Sequence, residues 1–164
     1  MTLTAERLRE VLAYDPDTGV FVWRVPPVNQ VRAGDVAGGI MGAGYLVITI
    51  DRKKHYSHRL AWLYVHGAWP IEEIDHIDML RTNNKLSNLR EATVTQNNVN
   101  RPVHSNNKSG TKGVRATKNG ERWSARIGVS GRTIDLGCYN TKEEAGAAYA
   151  EAARRYYGEF ARSA

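Results

Sequence analysis

The stretch from Ile74 to Asn98 constrains this chain more than any other. It reads Ile74-Asp75-His76-Ile77-Asp78, then Asn83-Asn84, then Asn88-Leu89, then Gln96-Asn97-Asn98. The segment Ile71 to Ile77 predicts a short strand carrying Asp75 and His76. Asn83 to Asn88 predicts a polar turn, because Asn tolerates left-handed backbone angles and bonds its own backbone. Leu89 to Ala92 predicts the returning strand. Thr93 then opens a helix with Gln96 as its capping-box partner, and Pro102 stops it. The expected element is strand, long turn, strand, helix. It places Asp75 and His76 on a hairpin, with Asn97 facing them from the first helical turn.

A carboxylate, an imidazole and an amide oxygen in one place suit one kind of chemistry. A hard divalent cation such as Mg²⁺ takes oxygen ligands, often only one or two from protein, with water and phosphate filling the rest. Asp75 and Asn97 supply two such oxygens. A neutral imidazole can accept a proton from water near neutral pH. The expectation is metal-assisted hydrolysis of a phosphodiester, with His76 activating the water and a cation stabilising the leaving oxygen. An Asn-rich loop around a buried structural histidine would give the same short motif.

Asp75-His76-Ile77-Asp78 through Asn84-Lys85-Leu86-Ser87-Asn88-Leu89-Arg90, followed by Asn97, resembles the HNH endonucleases, specifically their phage and intron-encoded homing branch. The resemblance implies a general base at His76 and a metal ligand at Asp75. It implies a hairpin brace at Asn88 and a second metal ligand at Asn97, with Asn98 as the competing neighbour. Met79-Leu80 departs from the pattern, standing where relatives usually carry small or polar turn residues. Asp78 stands where Asn is common.

The 164 residues suffice for one ordinary domain or two small ones. At 41% hydrophobic and 24% charged, a folded soluble protein is expected. No apolar run approaches a bilayer-spanning length, and the N-terminus has no signal-peptide pattern. Cys138 is the single cysteine, which excludes a disulfide framework and a Cys-x-x-Cys zinc knuckle and fits a reducing cytoplasm. The net charge of +6 is unevenly distributed. Residues 1–100 hold 11 Lys/Arg against 11 Asp/Glu, while residues 101–164 hold 12 against 6. An anionic partner for the C-terminal part is expected, most simply nucleic acid, with a solvated basic face as the plainer reading.

Before the hairpin, Thr4 to Tyr14 predicts a short helix and Asp15 to Gly19 a turn. Val20 to Val25 predicts a strand whose Phe21 and Trp23 share a side. A glycine-rich loop follows, without the spacing of a phosphate cradle. Tyr45 to Ile50 and His55 to Ser57 predict two strands around a basic tip, Arg52-Lys53-Lys54, that either touches phosphate or is solvated. Ser57 is expected to cap a helix from His58 to His66, closed by Gly67. His58 is either a structural residue at the helix start or a ligand or phosphate contact. His55, His66 and His104 receive no role.

Asn100 to Lys112 has the composition of a linker. Three short strands are predicted after it: Gly113 to Ala116, Trp123 to Val129, and Arg132 to Tyr139. Ser130-Gly131 is the tight turn between the last two. Thr141-Lys142-Glu143-Glu144 is a capping box for a helix to about Tyr157, whose Ala145, Ala148, Tyr149 and Ala152 form a flat face. Gly113-Val114-Arg115, Arg122-Trp123, Ala125, Ile127, Leu136-Gly137, Glu143-Glu144-Ala145, Ala148-Tyr149 and Gly158 resemble the AP2 DNA-binding domain. The resemblance implies a sheet lying in the major groove, with Arg115, Trp123 and Arg126 on it and Arg122 and Arg132 near strand ends. The family often has Glu where Arg126 stands, so base preference does not carry over.

The expected architecture is α+β: a ββα-metal HNH nuclease module with N-terminal antiparallel hairpins, then an AP2-like three-stranded sheet with one helix. The boundaries are 1–106, with the ββα core at about 71–101, and 107–164. The expected function is a metal-dependent DNA endonuclease, of nicking, homing type. Mg²⁺ is the first choice of cation and Mn²⁺ the second, and no small-molecule cofactor is expected. The partner is double-stranded DNA and not a membrane, the chain acts as a monomer or dimer, and the location is cytoplasmic. The rival is a non-catalytic AP2-type regulator carrying an inactive HNH domain.

Overall fold

The computed structural model describes residues 2–101, 103 and 105–161. Among them are four α-helices and several small antiparallel sheets, an α+β arrangement. None of these helices is long and apolar enough to cross a membrane. The chain divides into two compact units, one ending at Thr93 and one beginning at Val94. The sequence places the boundary later, at residue 106.

The first unit opens with helix α1 (Ala5–Val11), capped by Thr4, whose side chain accepts from the Arg7 N–H. The sequence extends this helix to Tyr14. Instead Leu12 leaves it as strand β1 (Leu12–Asp15), pairing with β2 (Val20–Trp23) in the register Tyr14 opposite Phe21. Cross-strand pairing overrides a local helical pattern that spans barely two turns. Strand β3 (Gly39–Met41) rises from the glycine-rich loop and pairs with β4 (Tyr45–Ile50), which pairs with β5 (Lys53–Tyr56). Asp51 and Arg52 both take positive φ, so the β4–β5 turn is the tight two-residue kind.

Helix α2 (Ser57–His66) follows directly and ends at Gly67. Ser57 is not its cap: that position falls on Tyr56, without a side-chain bond, and the fully buried Ser57 hydroxyl has no hydrogen-bond partner among the described residues. Leu60, Ala61 and Leu63 from α2 meet Leu8, Leu12, Phe21 and Ile48 in one core. Strands β6 (Glu73–His76) and β7 (Leu89–Ala92) then form the hairpin, contributing Ile74 and Leu89 to that core. Arg59 of α2 donates to the carbonyls of Pro70 and Glu72, which fixes the entry to β6.

The second unit begins with α3 (Val94–Asn100). The predicted helix stop, Pro102, lies outside the described residues, as does His104. Strands β8 (Val114–Ala116), β9 (Trp123–Val129) and β10 (Arg132–Tyr139) form an antiparallel sheet in the order β10-β9-β8. Helix α4 (Lys142–Tyr157) starts with the full Thr141–Glu144 capping box and packs Ala145, Ala152 and Ala153 against Val114, Ala125 and Ile127. Asn107 to Thr111 does not behave as slack linker. Asn107 Oδ1 accepts from Ser109 N–H at 2.8 Å and Gly110 N–H at 3.0 Å, and Ser109 Oγ donates to the Val114 carbonyl at 2.7 Å. Polar residues suit a linker and a side-chain-bonded turn equally, which is why composition misleads here.

Candidate active site

Asp75 lies opposite Arg90 and His76 opposite Leu89 across the β6–β7 ladder. Strand alternation therefore sends the sequence neighbours Asp75 and His76 to opposite faces of the hairpin. On one face the Asp75 carboxylate, only 5% exposed, accepts two bonds on Oδ2, from Arg90 Nε at 3.0 Å and Nη2 at 2.9 Å. A guanidinium that donates twice to one carboxylate fixes the plane of that carboxylate.

On the other face His76, also 5% exposed, lies on the side of Ile74 and Leu89. Its Nε2 is 3.0 Å from Oδ1 of Asn84, a residue 1% exposed. The Asn84 amide nitrogen points to the Thr82 carbonyl at 3.5 Å, so the oxygen is the end that meets the imidazole. An amide oxygen can only accept. The contact therefore suits an imidazole N–H on Nε2.

The turn between the strands is a closed polar network centred on Asn88. Its Oδ1 accepts from the Asp78 N–H at 3.0 Å, and its amide donates to Asp78 Oδ1 at 2.9 Å and to the Asn83 carbonyl at 2.8 Å. Burial raises the Asp78 carboxyl, but bonds from Asn83, the Leu80 N–H and Asn88 outweigh it and hold the group below its ordinary value. Met79, the departure from the motif, adopts a left-handed φ of 64° and donates its N–H to the His76 carbonyl at 2.9 Å.

Sequence reasoning singled out His58 but missed the layer that it forms around His76 with Tyr45 and Tyr56. The ring of His58 lies edge-on to His76 at 5.1 Å and stacks on Tyr56 at 5.4 Å. Tyr45 is 5.3 Å from His58 and 6.1 Å from His76, with the Arg81 guanidinium 4.9 Å over its own ring. Strand alternation was the available signal, since Tyr45 and Val47 share a face of β4 and Val47 pairs with Tyr56. His58 Nδ1 is buried without a hydrogen-bond partner among the described residues. Burial, then the charges of His76 and Arg59, push its pKa down to about 3.

Divalent-cation chemistry can be tested on donor type. Among the described residues no three His, Cys, Asp or Glu side chains gather to form a cluster. A site of the Mg²⁺ kind needs only one or two protein carboxylates. Asp75 fits in kind: a carboxylate is the hard oxygen donor that such a cation takes. Asn97 and Asn98 are both on α3, in the second unit.

In the second unit Arg115 stands opposite Ser124 and Arg126 opposite Asp135, on the sheet face away from α4. Arg126 Nε donates to Asp135 Oδ2 at 3.2 Å, with both side chains more than half exposed. Arg122 donates to the Cys138 carbonyl at 2.7 Å, and Arg132 is exposed at the β9–β10 turn. Trp123 does not share the face of Arg115 and Arg126. It shares the opposite face with Ala125 and Ile127 and packs against Val114, Ala125 and Ala145.

Residues 55–99 match the HNH endonuclease family. The matched span takes in Asp75, His76, Asn84, Asn88 and Asn97. A protein of Acanthamoeba polyphaga mimivirus, named as an uncharacterized HNH endonuclease, is 33% identical over 123 residues. That alignment covers 74% of this chain and 63% of the mimivirus protein, so the chain spans less than two thirds of the length of its relative.

Proposed function

We propose that the protein is an HNH-type endonuclease that hydrolyses phosphodiester bonds in double-stranded DNA. The observation that carries this reading is His76: buried, paired through Nε2 to Asn84, and inside the segment that matches the family. His76 Nδ1 takes a proton from the attacking water, which raises its nucleophilicity toward phosphorus. Asp75 is the residue that would hold a divalent cation, Mg²⁺ before Mn²⁺, and Asn97 is the second ligand that the resemblance implies. Such a cation, when bound, supplies electrostatic stabilisation of charge developing on the leaving oxygen. Attack from water with departure of the 3′ oxygen leaves a 5′-phosphate and a 3′-hydroxyl. One site per chain favours nicking by a monomer.

The second unit serves as the binding module in this reading. Its three-stranded sheet backed by one helix, with Arg115 and Arg126 on the outer face, supports an AP2-like role in DNA binding, and a homing-type, cytoplasmic enzyme of phage kind follows from the two resemblances together. The rival reading, a regulator with an inactive nuclease domain, draws support from the Asp75–Arg90 ion pair, which serves equally well as a structural cross-strand pair.

Nicking of supercoiled plasmid separates the two. We expect cleavage that requires added Mg²⁺ or Mn²⁺. His76→Ala should abolish it while leaving affinity within a few-fold, because a general base acts in the transition state and adds little to ground-state binding. Asp75→Ala should raise the metal concentration for half-maximal nicking more than Asn97→Ala, since it removes charge as well as an oxygen. Absence of metal-dependent nicking by the wild-type chain would leave the regulator as the surviving reading.

A further inference from the structure

We infer that Asn84 is the positioning residue of His76, and that the turn joining β1 to β2 holds it in place. The inference rests on the reading of His76 as the general base. Asn84 belongs to the Asn83-Asn84 pair that sequence alone assigns to turn formation. Its side chain does something else: it is nearly fully buried, with Oδ1 on His76 Nε2 at 3.0 Å and Nδ2 directed at the Thr82 carbonyl. A neutral imidazole has two tautomers, and one bond of this kind selects between them. Asn84 selects the Nε2–H form, which leaves Nδ1 as the base.

The backbone of Asn84 is pinned from a distant part of the sequence. Tyr14 donates its hydroxyl to the Asn84 carbonyl at 2.7 Å in a buried bond across 70 residues. The Pro16 carbonyl accepts from the Leu86 N–H at 3.0 Å. Between these two bonds lies Gly19, at φ +74°, where an added Cβ would stand 2.4 Å from the Asn84 carbonyl carbon and the Lys85 nitrogen. The Asp15 carboxylate shapes this turn by accepting from the Asp17 N–H at 2.9 Å and the Thr18 hydroxyl at 2.8 Å. The first hairpin therefore grips the backbone that leaves Asn84, from its carbonyl to Leu86. A hydrogen bond to a group rotating within its site would select no tautomer; a bond to a group clamped at three points does.

The tautomer can be read directly by long-range ¹H–¹⁵N correlation spectra of the full chain carrying ¹⁵N-histidine, with His76→Ala assigning the signal. We expect the Nε2–H pattern for His76 in the wild type. Asn84→Ala should convert it to a mixture, and should lower kcat by roughly 10–100-fold, the range of a misoriented general base, with KM changed less than two-fold. Asn84→Asp keeps an acceptor oxygen at the same atom and should keep the Nε2–H pattern. Where Asn84→Ala fails to fold, Asn84→Leu fills the space without an acceptor and carries the same test. An Nδ1–H pattern in the wild type, or an unchanged pattern in the variants lacking an acceptor, overturns the inference. A His76→Ala chain that still nicks would instead remove the general-base reading while leaving the spectra to decide the Asn84 contact on their own.

Discussion

His58 is enclosed by Tyr45, Tyr56 and His76, and burial makes its protonated form costly. Its pKa, pushed down to about 3, lies below the ordinary value of 6.5, which makes a signed prediction possible. Between these values the unfolded chain binds a proton that the folded chain does not. Stability therefore rises with pH across the window and is lost as pH falls below 6.5 toward 3. The slope from one such group reaches at most about 1.4 kcal/mol per pH unit. His58→Phe keeps a ring against Tyr56 and removes the titration. Urea unfolding at a series of pH values should show a steep acid loss in the wild type and a shallower one in His58→Phe. Parallel curves would mean that His58 charges without penalty in the fold. His58 also illustrates what a motif cannot carry. Tyr56 is local, but Tyr45 and His76 come from other segments, so no local pattern distinguishes His58 from a histidine that merely begins a helix. The placement of Asp75, His76 and Asn88 on one hairpin was legible because they sit at fixed offsets within it. Asn84 was visible only as a turn former, because burial of one Asn in an Asn pair depends on Tyr14 and Gly19 far away in sequence.

At the scale of elements, β9, β10 and α4 were legible because their signals are local: clean alternation, a Ser-Gly turn, and a capping box. Strand β3 was not, since three residues within a glycine-rich loop become a strand only by pairing with β4. The Asn107–Thr111 turn was read as linker for a related reason. Its order comes from side-chain bonds to backbone, and it ends at Gly113, where β8 approaches the rest of the unit. Gly113 takes φ +66°, and an added Cβ would stand 2.3 Å from both the Arg126 carbonyl oxygen and the Tyr149 ring. The Arg126 N–H donates to the Gly113 carbonyl at 2.8 Å, so the backbone cannot withdraw without breaking a sheet bond. Gly113→Ala combines left-handed strain of about 1–2 kcal/mol with overpacking of about 1–3 kcal/mol. Thermal melts of the full chain should show a large loss confined to the transition that reports this unit. A change below about 0.5 kcal/mol, within the range of an ordinary surface substitution, would mean that β8 shifts to accept the methyl group.

At the scale of the whole molecule, charge is the property that separates the two halves of the sequence. Residues 101–164 carry 12 basic against 6 acidic side chains, while residues 1–100 are balanced at 11 each. If the second unit holds DNA, affinity should fall steeply with salt, because each neutralised phosphate releases condensed counterions and contributes about 0.9 to the slope of log affinity on log salt. Arg115 and Arg126 share one sheet face but differ in company. Arg126 is paired with Asp135 in an exposed bridge, which is worth at most about 1 kcal/mol and is easily exchanged for a DNA contact. Arg115→Ala should weaken binding to preferred and random duplexes alike and flatten the salt slope by about one contact, the behaviour of a phosphate ligand. Arg126→Ala should cost roughly 1–3 kcal/mol on the preferred site and much less on random DNA if its guanidinium reads a base edge. Equal losses on both duplexes would make Arg126 a second phosphate contact. An unchanged salt slope in the Arg115→Ala, Arg126→Ala double variant would move the DNA off this face of the sheet altogether. The basic excess would then belong to Arg122, Arg132 and the two arginines late in α4, Arg154 and Arg155.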